Sequence, residues 1–104
     1  MSAIDLSLVR EFKRRAEAAL PGRVARVVLF GSRARGEARA ESDWDVAVFL
    51  RDAPTANDRA TLSDIGFDLL LARGERIQTI ALDVARADEP SWLLETMRRD
   101  GVAA

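Results

Sequence analysis

Residues 30–46 read FGSRARGEARAESDWDV, and this stretch carries most of what the chain discloses about its fold and chemistry. An apolar run ends at Gly31-Ser32, an arginine-rich loop follows, and Asp43 and Asp45 flank a tryptophan at the start of a second apolar run. Side chains alternate along a β-strand, so these two carboxylates point to the same side, with their Cα atoms roughly 7 Å apart. Two such carboxylates repel each other unless a cation or a hydrogen-bond donor lies between them.

Magnesium is the cation that suits this pair, because it prefers oxygen ligands and usually combines one or two carboxylates with substrate phosphates. The loop offers complementary groups: glycine permits a close backbone approach, and guanidinium groups bind phosphate oxygens in fork geometry. The predicted nucleotide-binding set is Gly31, Ser32, Arg33, Arg35, Gly36 and Ser42. The loop is not a Walker P-loop, because GSRARG lacks the lysine of GxxxxGK[ST].

Composition limits the remaining chemistry. The chain has 104 residues and a net charge of −1, which suits one domain over residues 1–104 and carries no direct signal for nucleic acid. It contains neither cysteine nor histidine, which excludes disulfides, thiolate catalysis and a Ser-His-Asp triad. No apolar run approaches the roughly 20 residues of a membrane span, and the amino terminus has no signal-peptide pattern, so we expect no membrane partner and a cytoplasmic location.

The remaining patterns predict the element order α-β-β-α-β-α. They indicate helices from a cap at Asp5 to about Leu20, from a cap at Thr55 to about Ala72, and from Pro90 to Gly101, with strands over 24–30, 44–50 and 77–84. We therefore expect an α/β (α+β) fold with a small mixed sheet of three or slightly more strands and helices mainly on one face. Trp44 is expected to pack beneath the site, with adenine stacking as the alternative, and Trp92 to join the core.

The motif Phe30-Gly31-Ser32, followed by Asp43-Trp44-Asp45-Val46, resembles the hG[GS]…[DE]h[DE]h signature of nucleotidyltransferases related to DNA polymerase β. Within that superfamily the whole chain is similar to the minimal nucleotidyltransferases. The resemblance implies the nucleotidyltransferase fold and Mg²⁺-dependent transfer of a nucleoside monophosphate, usually AMP from ATP, with release of pyrophosphate. Minimal members commonly pair with a helical HEPN toxin, and some are antitoxins that adenylylate a tyrosine of that toxin.

Active members also carry a third carboxylate on the following strand, which here reads RIQTIALDV over residues 76–84. Gln78 or Thr79 falls where that acid is expected. Asp83 is the remaining candidate to join Asp43 and Asp45 as a catalytic and metal-binding residue, although it could equally be a strand-end acid that forms a turn.

Three functional hypotheses follow. The preferred one is transfer of AMP to a hydroxyl of a partner protein, as antitoxin to a HEPN toxin. The second is a catalytically weak or inactive domain that neutralises a partner by binding alone, which loss of the third acid favours. The third is a small-molecule nucleotidyltransferase of the aminoglycoside type, which needs an acceptor-binding domain or chain that the sequence does not show. A homo-oligomer is compatible with all three.

Overall fold

The computed structural model describes residues 4–104, which form four helices, four strands and a short 3-10 turn. The elements are α1 (Ser7–Ala19), β1 (Val24–Phe30), α2 (Ser32–Arg35), β2 (Trp44–Leu50), α3 (Ala56–Arg73), β3 (Ile77–Asp83), the 3-10 turn Val84–Arg86, α4 (Trp92–Asp100) and β4 (Val102–Ala103). None of the helices in this part of the chain is long and apolar enough to cross a membrane.

The strands form one mixed sheet in the order β3-β2-β1-β4. β1 pairs antiparallel with both β2 and β4, whereas β2 pairs parallel with β3 through the crossover helix α3. This confirms the predicted α/β class and mixed sheet. The two-residue strand β4 has no counterpart among the predicted elements, because two residues are too few to show a periodic pattern.

Two apolar layers cover the two faces of the sheet. Val46 and Val48 of β2 face α1 and α3, while Ala47 and Phe49 face α4. The central strand is therefore apolar on both sides, which explains its nearly continuous hydrophobic sequence. The two long helices lie on one face, as expected, and the nine-residue α4 covers part of the other.

Two expectations about helices need correction. α1 begins at Ser7 rather than at a cap on Asp5; the Asp5 carboxylate accepts a hydrogen bond from the Ser7 N–H at 2.9 Å, but Leu6 occupies the capping position. Trp92 does not join the core, since it is 79% exposed at the first turn of α4, where Ser91 caps the helix. Leu94 and Met97, on the other side of α4, are buried as expected.

Asp58 joins the start of α3 to the beginning of β1. Its carboxylate accepts hydrogen bonds from both Arg23 terminal nitrogens, at 2.6 and 2.8 Å, and from the Thr55 N–H at 2.9 Å. The Thr55 hydroxyl accepts in return from the Asp58 N–H, which completes a capping box. Asp58 is only 2% exposed, and the Arg23 guanidinium holds the pKa of this carboxyl far below its usual range.

We expect Asp58→Asn to lower the free energy of unfolding by roughly 2 to 4 kcal/mol at pH 7, because it leaves Arg23 without its buried partner and weakens the helix cap. A folded-state pKa below the ordinary 3.8 means that Asp58 stabilises the protein above that pH and loses this effect as the pH falls further. Chemical denaturation should therefore show the variant and the wild type converging below about pH 4. Asp64→Asn, at an exposed position of α3, is the control and should change little.

Candidate active site

The centre of the site is a close approach between Gly31 and Asp45. Phe30 pairs with Asp45 in the β1–β2 ladder, so the turn that follows β1 lies against the start of β2. Gly31 has φ 74° and ψ −158°, a conformation that favours glycine. A Cβ atom at Gly31 would overlap Oδ2 of Asp45 and stand 3.2 Å from its Cγ. Only glycine therefore allows the carboxylate to rest against this turn.

Asp45 is half-buried, and its surroundings disfavour its negative charge. Burial raises the pKa of this carboxyl above 3.8, and the neighbouring charge of Asp43 raises it further, whereas Arg35 acts in the opposite direction. The two acids are thus close enough to repel each other, and one arginine of the loop is close enough to compensate in part. A cation bound between the carboxylates would relieve the same repulsion.

Gln78 is the residue of β3 beside Asp45. The parallel register pairs Asp45 with Gln78, so their side chains leave the same face of the sheet. Thr79 pairs with Val46 and points to the opposite face, toward α3. Of the two positions considered from the sequence, the structure therefore selects Gln78. Its amide oxygen could bind a metal ion but carries no negative charge.

The structure does not bring Asp83 to the other two acids. Asp83 pairs with Leu50 at the far end of β2, roughly 17 Å along the strands from Asp45. Its carboxylate accepts a hydrogen bond from the Ala85 N–H at 2.9 Å and begins the 3-10 turn. Its expected place in a metal-binding triad is therefore corrected to a turn-forming role. Within residues 4–104, no group of three or more Asp, Glu, His or Cys side chains could hold one metal ion.

Arg33 stabilises the conformation of the loop, whereas the sequence predicted that it would bind a phosphate group. Its guanidinium donates to the carbonyl oxygens of Ala40 at 3.2 Å and Ser42 at 2.9 Å, and lies over the Trp44 ring at 4.4 Å from the centroid. Trp44 is 6% exposed and packs in the core between the sheet and the long helices, as expected, so it offers no stacking surface for a base. The alternation along β2 sends Trp44 to the face opposite Asp45.

The other predicted nucleotide-binding residues fall into two groups: some lie near Asp45, and others only maintain the shape of the loop. Ser32 begins α2 directly after Gly31, and Gly36 ends that helix with φ 73°. The Ser42 hydroxyl accepts a hydrogen bond from the Arg39 N–H at 2.9 Å, so Ser42 shapes the loop. Arg35 is exposed, with Nε 3.2 Å from the Glu37 carboxylate, and is the loop arginine whose charge acts on Asp45.

Comparisons with known proteins show the family to which the chain belongs. The model of the nucleotidyltransferase domain family matches residues 8–88, which is most of the chain, so the chain belongs to this family of nucleotidyltransferases. A curated relative from Methanocaldococcus jannaschii, named as a candidate protein adenylyltransferase, is 32% identical over 73 residues, covering 64% of this chain and 74% of the relative.

Solved structures show the same fold. A candidate minimal nucleotidyltransferase is 27% identical, with a TM-score of 0.60 and 98% of both chains covered. A toxin–antitoxin complex solved with AMP-PNP is 18% identical, with a TM-score of 0.62, covering 89% of this chain and 69% of the other. The second likeness concerns the fold alone.

Gly31→Ala should destabilise the protein more than Gly36→Ala. Gly36 lies in the left-handed region, where alanine bears a strain of about 1 kcal/mol, whereas Gly31, with ψ −158°, lies in a region nearly restricted to glycine, which costs about 1–3 kcal/mol. Only Gly31→Ala also drives a methyl group into the Asp45 carboxylate, whereas nothing lies within 4 Å of a Cβ at Gly36. Thermal unfolding of the two variants should separate them by several degrees, and equal melting temperatures would contradict the close approach.

Asp45→Asn should raise the melting temperature of the metal-free protein at pH 7. A raised folded-state pKa means that ionised Asp45 destabilises the fold at neutral pH, and that this effect disappears as the pH falls toward 3.8. The difference between the variant and the wild type should therefore shrink on acidification. Asp88→Asn, at an exposed position, serves as the control.

Proposed function

We propose that this protein transfers AMP from ATP, in a Mg²⁺-dependent reaction, to a hydroxyl group of a partner protein. The observation that carries the proposal is the Asp45 carboxylate held against the glycine turn, with Asp43, just before β2, near enough for its charge to raise the pKa of Asp45. A protein acceptor is supported by the relative named as a candidate protein adenylyltransferase. Membership of the nucleotidyltransferase family supports the reaction class.

The donor set fits a magnesium ion. Asp43 and Asp45 would supply hard carboxylate oxygens, and the raised pKa of Asp45, caused by its burial and by the charge of Asp43, supports a cation at this position. The amide oxygen of Gln78 lies next to them in the sheet. When bound, the ion would supply charge neutralisation at the phosphates and at the reacting oxygen.

The triphosphate would lie along the turn after β1. Gly31 permits a close approach of the backbone, Ser32 offers a hydroxyl, and Arg35, which now pairs with Glu37 through Nε, would turn its terminal nitrogens to the phosphates. Arg33 would act indirectly, because its hydrogen bonds to the carbonyls of Ala40 and Ser42 hold the loop in shape.

The chemistry would be an in-line displacement. The acceptor hydroxyl attacks the α-phosphorus, the bond to the bridging oxygen of pyrophosphate breaks, and a proton leaves the hydroxyl. A carboxylate oxygen of Asp43 or Asp45 that is not bound to the ion would accept that proton and pass it to solvent. Most of the acceleration would come from positioning and from stabilisation of charge.

We further propose that the partner is a HEPN-type toxin and that this protein is its antitoxin. The support is the resemblance to minimal nucleotidyltransferases, together with the fold shared with the toxin–antitoxin complex solved with AMP-PNP. The rival hypothesis, neutralisation by binding alone, draws support from Gln78, because an uncharged amide stands beside Asp45 where active members carry an acid.

Titration calorimetry of ATP with and without Mg²⁺ tests the site. Wild type should bind ATP in a magnesium-dependent manner, and the double variant Asp43→Asn/Asp45→Asn should not. Asp83→Asn is the matched control, because it removes an acid from the far end of the same sheet and should bind as wild type. ATP binding that persists in the double variant, or no binding by wild type at millimolar ATP, would contradict the proposed site.

Gln78→Glu should strengthen the metal site. The change is isosteric and adds a carboxylate beside Asp45, so the Mg²⁺ concentration for half-maximal ATP binding should fall by a factor of the order of ten. Gln78→Ala, which removes the amide without adding a charge, should not lower it. If Gln78→Glu left the Mg²⁺ requirement unchanged, Gln78 would not belong to the metal site.

A further inference from the structure

The two edges of the sheet are unequal. β4 forms one edge with only two residues, which is a common protection against unwanted strand pairing. β3 forms the other edge with seven residues, pairs with β2 without a bulge, and contains neither proline nor lysine. No strand in the described part of the chain, residues 4–104, covers its outer side.

The ladder indicates which groups of β3 point outward. The Trp44 N–H donates to the Arg76 carbonyl at 2.9 Å. In a parallel ladder this bond implies that alternate residues of β3, beginning with Gln78, turn both backbone groups toward β2. The backbone groups of Ile77, Thr79 and Ala81 therefore point away from the sheet, where they can pair with an additional strand.

A cleft lies on each side of this edge. The first, of about 230 Å³, lies between α3 and β3 and is lined by Ser63, Thr79 and Ala81 among others. The second, of about 300 Å³, lies toward α4 and is lined by Leu82 and Leu94 among others. The side chains of an added strand would alternate between these two clefts.

Charge indicates the chemistry of the occupant. Arg59 of α3 is exposed and makes no ion pair within residues 4–104; among these residues it is the single charged one that lines the cleft at α3, whereas the cleft toward α4 also contains Asp83, Arg86 and Glu89. A carboxylate on the added strand would complement it. A second copy of β3 fits less well, because it would present Ile77, Thr79 and Ala81, none of them acidic, to the cleft at α3 and would add another Arg59.

We propose that the outer edge of β3 binds an extended segment of a partner protein by strand addition. The segment places apolar side chains alternately in the two clefts and an acidic side chain against Arg59, while its main chain pairs with Ile77, Thr79 and Ala81. This binding does not depend on the proposed nucleotidyl transfer, because β3 separates the segment from Asp45 on β2.

The test uses capped peptides TTEVVETT, TTELLETT and TTEFFETT, with the lysine-for-glutamate versions as charge-reversed controls. At saturating concentration, at least one acidic peptide should slow hydrogen exchange of the Ile77, Thr79 and Ala81 amides by about tenfold or more, as read by NMR. Amides already paired with β2, such as that of Ile80, should change less.

Charge exchange tests the role of Arg59. Arg59→Glu should lower the affinity for the acidic peptide by about threefold to fivefold and raise the affinity for the corresponding lysine peptide. Arg10→Glu, an exposed change on α1, is the matched control and should affect neither peptide. Equal binding of acidic and lysine peptides to wild type would overturn the acidic character of the segment.

Other outcomes would overturn the proposal as a whole. One is the absence of protection at Ile77, Thr79 and Ala81 with all three acidic peptides. Another is a dimer in sedimentation experiments that protects the same amides without peptide, which would assign the edge to a second copy. The Asp43→Asn/Asp45→Asn variant should bind peptide as wild type does, so failure of the nucleotide site and failure of the β3 edge are separate results.

Discussion

The contact between the Asp45 carboxylate and the Gly31 turn is the constraint on which the site depends. It requires the antiparallel pairing of β1 and β2, which sets Phe30 opposite Asp45, and it requires a residue without a side chain at position 31. The same pairing places the apolar side chains of β2 in layers on both faces. The sheet that forms the core therefore also positions the acid beside the loop.

The two ends of β2 have opposite electrostatic characters. At its start, Asp45 is half-buried near a second carboxylate, and the raised pKa shows that its charge is destabilising. At its other end, where Leu50 pairs with Val24, the neighbouring Arg23 binds the buried Asp58 and lowers that pKa. Binding sites often retain such unfavourable charge, and well-satisfied interactions elsewhere in the fold offset it.

Regular elements with strong local signals were predicted closely, and those that depend on long-range contacts were not. β1 and β2 have the bounds expected from their apolar runs, and α3 begins at its Thr55 cap. β4 and the exposure of Trp92 were not predicted. β4 forms only because the end of the chain pairs with β1, and the exposure of Trp92 depends on which side of α4 packs against the sheet. An apolar sequence around Trp92 does not show which side of a helix faces the core.

The sequence by itself located the candidate site and indicated the family: a glycine turn after one strand and two acids around the start of the next form a motif that resembles the nucleotidyltransferases, to which the chain belongs. The tertiary structure alone decided which residues join these acids. The parallel register of β3 brings Gln78 to Asp45 and carries Asp83 to the far end. Packing also turned Arg33 onto Trp44, because a buried indole and the loop carbonyls offered its guanidinium partners that the sequence pattern does not reveal.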